Sequence, residues 1–314
     1  AVGRSITSWS SESGEADLAL IRYTLYIDAA AATPDVKTLN ERLHQMVRGW
    51  LPSVEEALAA QLGSARATRL GLTYGEHVFP EGYKVSTSPA EAAEDIIRLT
   101  RLDNDQDRSV RLCQRTTEES CELHLKVYAR NQLIPLSDAV PVLENFGFRV
   151  LEEIPTELHE GHLGYIHDFR VELPAGTDVS AILDRVQTVE RAIAEVLDGA
   201  AENDEFNMLV LLAGLDPQPV VWLRAWFRYL RQTGVAYGLL TMVDALRRSP
   251  KATLALVGQF TAAHDPEFAG DRAAAVADQR QALEGALAQV KAIDDDRILR
   301  LFRAVLEATL RTNA

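Results

Sequence analysis

Strict alternation of apolar and polar residues marks the first readable element. In "LIRYTLYID", Ile21, Tyr23, Leu25 and Ile27 share one face, and Arg22, Thr24, Tyr26 and Asp28 share the other. That period of two predicts a half-buried strand. A helical stripe follows, with Val36, Leu39, Leu43, Val47 and Trp50 on one side. Residues 51–102 read as mostly helical, interrupted by the breakers Gly75, Pro80 and Gly82. The stretch "TSPAEAAEDIIRLTRL" opens a helix with Ser88 as cap, Pro89 in the first position and acids in the early turns. "DNDQD" at 103–107 reads as an acidic boundary turn.

The next hundred residues carry the clearest unit. "SVRLCQRT" and "CELHLKVYA" are strand-like, with Leu123, Leu125 and Val127 alternating with His124, Lys126 and Tyr128. "PLSDAVPVLENFG" predicts a short helix closed by Gly147. Two strands follow, "FRVLEEIPTEL" and "YIHDFRVEL", joined by the turn "HEGHLG". The second of these places Tyr165, His167, Phe169, Val171 and Leu173 on one face. One helix is expected over 178–199, its stripe running through Ile182, Val186, Val189, Ile193 and Val196 or Leu197. The order β(β)αββα predicts an antiparallel sheet covered on one face by two helices, a ferredoxin-like α+β layer. From 203 onward only helical periodicity remains: about 204–214, 219–233, 235–262 with a break available at Pro250, and a long pair over 270–312. One seam uses Leu283, Leu287 and Val290, and another uses Ile298, Leu301, Phe302, Val305, Leu306 and Leu310. This part predicts a helical bundle. The expected division is therefore 1–55, a partial strand–helix unit; 56–107, a helical connector; 108–202, the α+β domain; and 203–314, the helical domain.

Composition narrows the function classes. The chain has 314 residues, enough for more than one core. Its formal charge of −14 disfavours a nucleic-acid partner, because phosphate backbones are repelled. No apolar run approaches the ~20 residues that span a bilayer, so no membrane partner is expected. Two cysteines, Cys113 and Cys121, form no disulfide framework, which fits a reducing cytoplasm. The N-terminus has no initiator Met and the C-terminus stops on a helical pattern. Both ends read as cut from a longer polypeptide.

The search for chemistry returns little. No GxGxxG follows a strand, no GxxxxGK[ST] occurs, and GxSxG and HExxH are absent. No catalytic residue, cofactor loop or metal site is therefore assigned. The cluster His159, His162 and His167 matches no zinc spacing and reads as an exposed turn. "DNDQD" lacks the glycine and glutamate of a calcium loop, since its sixth position is Arg108 and its twelfth Gln114. In "VVWLRAWFRYLRQTG", Arg224, Arg228 and Arg231 form a stripe beside Trp222, Trp226 and Tyr229. Such a stripe can hold a carboxylate or phosphate, or pair with acids of a neighbouring helix. The second is the expectation. A self-contained enzyme would have to centre on His167, with Glu157 or His159 beside it.

Several long phrases resemble one family. "EFNMLVLLAGL" followed by "VVWLRAWFRYLRQTG", "PLSDAVPVLENFGFRVLEEIPTEL", "SPAEAAEDIIRL" and "LEATLRTNA" are similar to the region preceding the catalytic domain of the large bacterial NAD-dependent glutamate dehydrogenases. The resemblance covers residues from about 20 to 314. It implies the tail of a preceding ACT-like domain at 1–55, the family's third ACT-type domain at 108–202, and a helical segment that leads into a catalytic domain past Ala314. It implies that NAD serves the parent enzyme, with nucleotide and glutamate bound outside this segment. The implied role is non-catalytic: positioning the catalytic domain and supporting a homo-oligomer. ACT domains often bind amino acids at the loop after the first strand. Here that loop is "ARNQLIPLSD", which offers Asn131, Gln132, Ser137 and Asp138 as an effector site but lacks a glycine-bearing turn.

Overall fold

A computed structural model describes residues 6–13, 19–25, 36–37, 49–105, 107–116 and 121–311. The chain divides into two compact units, residues 1–76 with 84–94, and residues 77–83 with 95–314.

The first unit holds an antiparallel hairpin, β1 (Ile6–Ser13) and β2 (Ala19–Leu25). β2 is the alternating strand expected from the sequence. β1, "ITSWSSES", has almost no apolar alternation and carried no signal. The helix expected after Val36 lies largely outside the described residues. Helices α1 (Trp50–Leu62) and α2 (Ser64–Thr73) follow, parted at Gly63, whose φ of +82° suits glycine. The Trp50 indole N–H donates to the Thr87 carbonyl at 3.0 Å. Next come α3 (Glu81–Ser86) and α4 (Pro89–Leu99), two helices whose residues fall partly in each unit. Ser88 caps α4 by accepting the Glu91 N–H at 3.2 Å, as the sequence predicts.

The second unit contains β3 (Arg108–Thr116), β4 (Cys121–Ala129), α5 (Leu136–Asn145), β5 (Arg149–Leu158) and β6 (Gly164–Glu172). The sheet order is β3-β4-β6-β5, antiparallel throughout. A ferredoxin-like plan closes on a strand after its second helix. In this chain that edge place is filled by β3, which precedes the plan. Leu123, Leu125, Val127 and Ala129 of β4, Phe169 and Val171 of β6, and Val110 and Leu112 of β3 form one buried face. α5 covers it with Ala139, Val142 and Leu143. α7 (Val186–Leu197) adds Val189, Ala192, Ile193 and Val196. Alternation in the sequence thus becomes a core that excludes water.

The single helix expected over 178–199 is two. α6 (Val179–Leu183), capped by the Asp178 carboxylate, ends before α7 begins. Arg185 leaves helical geometry at φ −115°, ψ 20°, and its guanidinium donates to the Leu215 carbonyl at 3.0 Å and to Asp216 at 3.1 Å. Those tertiary bonds outweigh local propensity. A 3₁₀ turn at Glu205–Asn207 runs into α8 (Met208–Leu212). Then follow α9 (Pro217–Gln232), α10 (Leu239–Arg248), α11 (Pro250–His264), α12 (Arg272–Leu287) and α13 (Ile293–Ala308). Pro250 starts α11, which is the break the sequence offered. The apolar core is continuous from the sheet into these helices, through Phe206, Leu223, Trp226, Leu246, Leu256, Phe260, Leu283 and Phe302.

Gly164 opens β6 with φ +116°, and a Cβ there would stand 2.8 Å from the Ala129 carbonyl oxygen and 2.9 Å from Leu99 Cδ2. Gly164→Ala should lower stability by about 2–3 kcal/mol, since it adds a left-handed strain to a backbone clash. Urea denaturation checks this, and an unchanged midpoint would contradict the packing described.

Candidate functional site

Alternation on β4 has a second consequence. With Leu123, Leu125 and Val127 on the core face, His124, Lys126 and Tyr128 must point the other way. The pattern suggests solvent. Instead Lys126 and Tyr128 are fully buried, as is Asp95 of α4. One Asp95 oxygen accepts from Lys126 Nζ at 2.5 Å and from the Tyr83 hydroxyl at 2.5 Å. The other accepts from the Tyr128 hydroxyl at 2.6 Å and faces Arg111 at 3.4 Å. The Lys126 ammonium also lies 5.7 Å from the Tyr83 ring centroid. Burial pushes the Tyr128 hydroxyl well above the ordinary tyrosine range, and the neighbouring Asp95 charge adds to the shift. Tyr128 therefore stays protonated and acts as a donor. This cluster uses up the Asp95 carboxylate internally.

A second cluster lies along the same sheet face. Asp168 of β6 pairs with Arg115 at 2.7 Å and with His124 Nδ1 at 2.8 Å. Arg115 Nη1 is 3.1 Å from the same ring nitrogen. An ionised carboxylate can only accept, so the bond to Asp168 requires a proton on Nδ1, and the donor-only guanidinium then stands beside that nitrogen as a close neighbour without a hydrogen bond to it. Burial raises the Asp168 carboxyl, but the His124 hydrogen bond and the Arg115 charge outweigh it and hold it below the ordinary value. His124 Nε2 is buried without a hydrogen bond, 3.6 Å from Glu122.

Side chains also close the β3 edge. Glu190 of α7 accepts the Leu112 N–H at 2.9 Å and pairs with Arg98 at 2.9 Å, while Arg98 also donates to the Val110 carbonyl. Burial pushes the Glu190 carboxyl upward against the pull of Arg98. An edge strand so capped presents fewer open groups to another strand.

The histidine group separates. His159 and His162 are exposed on the β5–β6 turn, their ring centroids 5.9 Å apart. His167 is 1% exposed, its Nδ1 bonds Glu153 at 2.9 Å, and its Nε2 accepts the Ile134 N–H at 3.1 Å. The carboxylate beside it is Glu153, where Glu157 or His159 was expected. Both ring nitrogens are engaged, and the ring anchors the loop that leads from β4 into α5. Of the four residues expected at an effector site, Asn131 and Gln132 lie in that loop and Ser137 and Asp138 in the first turn of α5, and all four are exposed. Asn131 is left-handed at φ +44° and its amide bonds Asp105, while Ser137 donates to Asp138 at 3.2 Å.

The arginine stripe resolves into three settings. Arg224 is 4% exposed and grips Asp204 with two bonds at 2.7 and 2.8 Å, adding Asn207 at 2.9 Å. Arg228 pairs with Glu202 on the surface. Arg231 donates to the Val235 carbonyl at 3.2 Å. Among the described residues no group of three or more His, Cys, Asp and Glu is placed to hold a metal ion.

The sheet, its covering helices and the helices beyond define an ACT-type α+β domain joined to helical motifs. Residues 107–182 match the family model described as the ACT3 domain of glutamate dehydrogenase. Residues 57–102 match its helical motif 2, and residues 201–266 its helical motif 3. The chain is 32% identical over 308 residues to the NAD-specific glutamate dehydrogenase of Pseudomonas aeruginosa, covering 95% of this chain and 19% of that protein. It is 31% identical over 302 residues to that of Halomonas elongata, covering 95% of this chain and 18% of the relative. For the Mycobacterium tuberculosis protein of the same description the identity is 33% over 303 residues, covering 91% and 18%. The chain belongs to the NAD-specific glutamate dehydrogenase family, and it spans less than a fifth of the length of these curated relatives.

Asp168→Asn should lower stability near neutral pH by about 1.5–3 kcal/mol, the worth of hydrogen bonds to a charged group. A carboxylate held low stabilises the fold above its unfolded pKa, and that contribution is lost as pH falls through the folded one. The gap between variant and wild type should therefore narrow below about pH 4. Urea midpoints at several pH values check this, and a pH-independent gap would contradict it.

Proposed function

We propose that these residues form a regulatory and scaffold segment of a cytoplasmic enzyme. That enzyme oxidatively deaminates L-glutamate to 2-oxoglutarate and ammonia with NAD. Glutamate and nucleotide are held by parts of the protein outside these residues. The partners of the segment are the catalytic domain of the same polypeptide and further copies of the chain. The relatives are described as NAD-specific, and their match falls on an ACT domain and helical motifs. The observation that carries the reading is the closed state of the charged groups. Asp95, Asp168, His167 and Arg224 each spend their bonding capacity on neighbours within the chain. Buried charges so paired position elements and leave little for a substrate. An amino-acid effector at Asn131, Gln132, Ser137 and Asp138 would act on the loop that His167 anchors. Among the described residues no helix is long and apolar enough to cross a membrane.

A thermal-shift panel on the 314-residue chain tests this. Ligands that bind only the native state raise the melting temperature by mass action. NAD and NADH are expected to leave it unchanged. A shift from one amino acid alone would assign regulation to the segment. A rise of several degrees with NAD or NADH would overturn the reading.

A further inference from the structure

Helices α9 and α11 border a cavity of about 490 Å³ that none of the paired clusters uses. Its walls include Gln218 and Trp222 of α9, Phe260, Thr261 and His264 of α11, and Asp265 just past the end of α11. We propose that this cavity binds an organic cation, an ammonium or guanidinium head group carried on an apolar or flat body.

Size comes first. Small-molecule sites run to about 300–1,000 Å³, are mostly apolar and carry a few placed polar groups. This cavity fits that description. Its aromatic wall is held in place by packing. The Trp222 and Phe260 centroids are 4.9 Å apart, Phe260 and His264 4.7 Å, and Trp226 meets Phe260 edge-on at 5.0 Å. Phe260 is itself buried, so the wall is set before any ligand arrives. Ring faces carry negative potential, and tryptophan carries the most.

The polar group decides the sign of the ligand. One Asp265 oxygen accepts the Glu267 N–H at 2.9 Å, and among the described residues no cation lies within 4.0 Å of the carboxylate. Arg272 is nearby, but it donates to the backbone carbonyls of Ala262 at 2.8 Å and of Asp265 at 2.7 Å. Its charge thus serves the C-terminus of α11, and the side-chain carboxylate remains the cavity's own charge. An anion would meet that carboxylate as a like charge. A neutral apolar ligand would gain nothing from it. A cation with an apolar body satisfies both the rings and the acid. The head group could belong to a free amine or to a basic side chain of a protein partner, and the two are separable by experiment.

The test is calorimetric titration of the 314-residue chain with benzylammonium, with benzyl alcohol as the neutral control, and with the peptide acetyl-Gly-Lys-Gly-amide as the protein-like source. Asp265→Asn keeps the acceptor for Glu267 and removes the charge. It should weaken benzylammonium or peptide binding at least tenfold and leave the melting temperature of the free chain unchanged. Trp222→Phe keeps a ring with a weaker face and should weaken binding severalfold. Binding of benzylammonium alone assigns the site to a free amine. Binding of the peptide alone assigns it to a partner's side chain. Benzyl alcohol binding as well as benzylammonium, an unaffected Asp265→Asn variant, or no binding of either cation at millimolar concentration would overturn the proposal.

Discussion

Asp95 is a carboxylate with no solvent exposure, and the arrangement of its surroundings follows from that fact. Removing an ion from water costs several kcal/mol even after relaxation, and the cost is offset only by well-placed partners. Lys126, Tyr128, Tyr83 and the more distant Arg111 supply them. Two of these sit two residues apart on β4, so the strand must present that face to α4 and no other. A slip of one residue would put Val127 against the carboxylate and Lys126 into the apolar core. The buried charge thereby fixes the register between helix and sheet more sharply than apolar packing could.

The same strand joins two environments. Its core face is continuous with the apolar interior of the helices after residue 203. Its other face carries the charges of the Asp95 and Asp168 clusters, and Glu190 with Arg98 closes the neighbouring β3 edge. A sheet used on both faces and capped at one edge is suited to transmitting position rather than to opening for a substrate. The aromatic cavity between α9 and α11 has the opposite character, with a fixed wall and an acid, Asp265, that no cation among the described residues approaches within 4.0 Å.

Much of this was legible from the chain itself. The periods of two and 3.6 located β2 to β6 and most of the helices, because each element buries one face and exposes another. Gly147 and Pro250 ended and started helices where backbone sterics demand it. The polar hairpin strand β1 was not legible, since Ser and Glu residues give no burial signal. Nor was the break at Arg185, which depends on bonds to residues thirty or more positions away. Lys126 and Tyr128 looked like a solvent face because alternation reports that two faces differ, not that one of them is wet. Asp95 does not stand out either, as one of three acids on its helix with Glu91 and Glu94, and its partners lie too far along the chain to be read. Glu153 beside His167 is set by strand register, which a single sequence does not reveal.

A double-mutant cycle at Asp95 and Lys126, read by urea denaturation, tests the central claim most directly. Asp95→Asn and Lys126→Met should each cost about 3–5 kcal/mol, because each leaves a buried partner charge uncompensated. The double variant should cost less than the sum by about 2 kcal/mol, the size expected for residues in one network. Single costs near zero, or strict additivity, would show that the buried pair does not hold helix and sheet together.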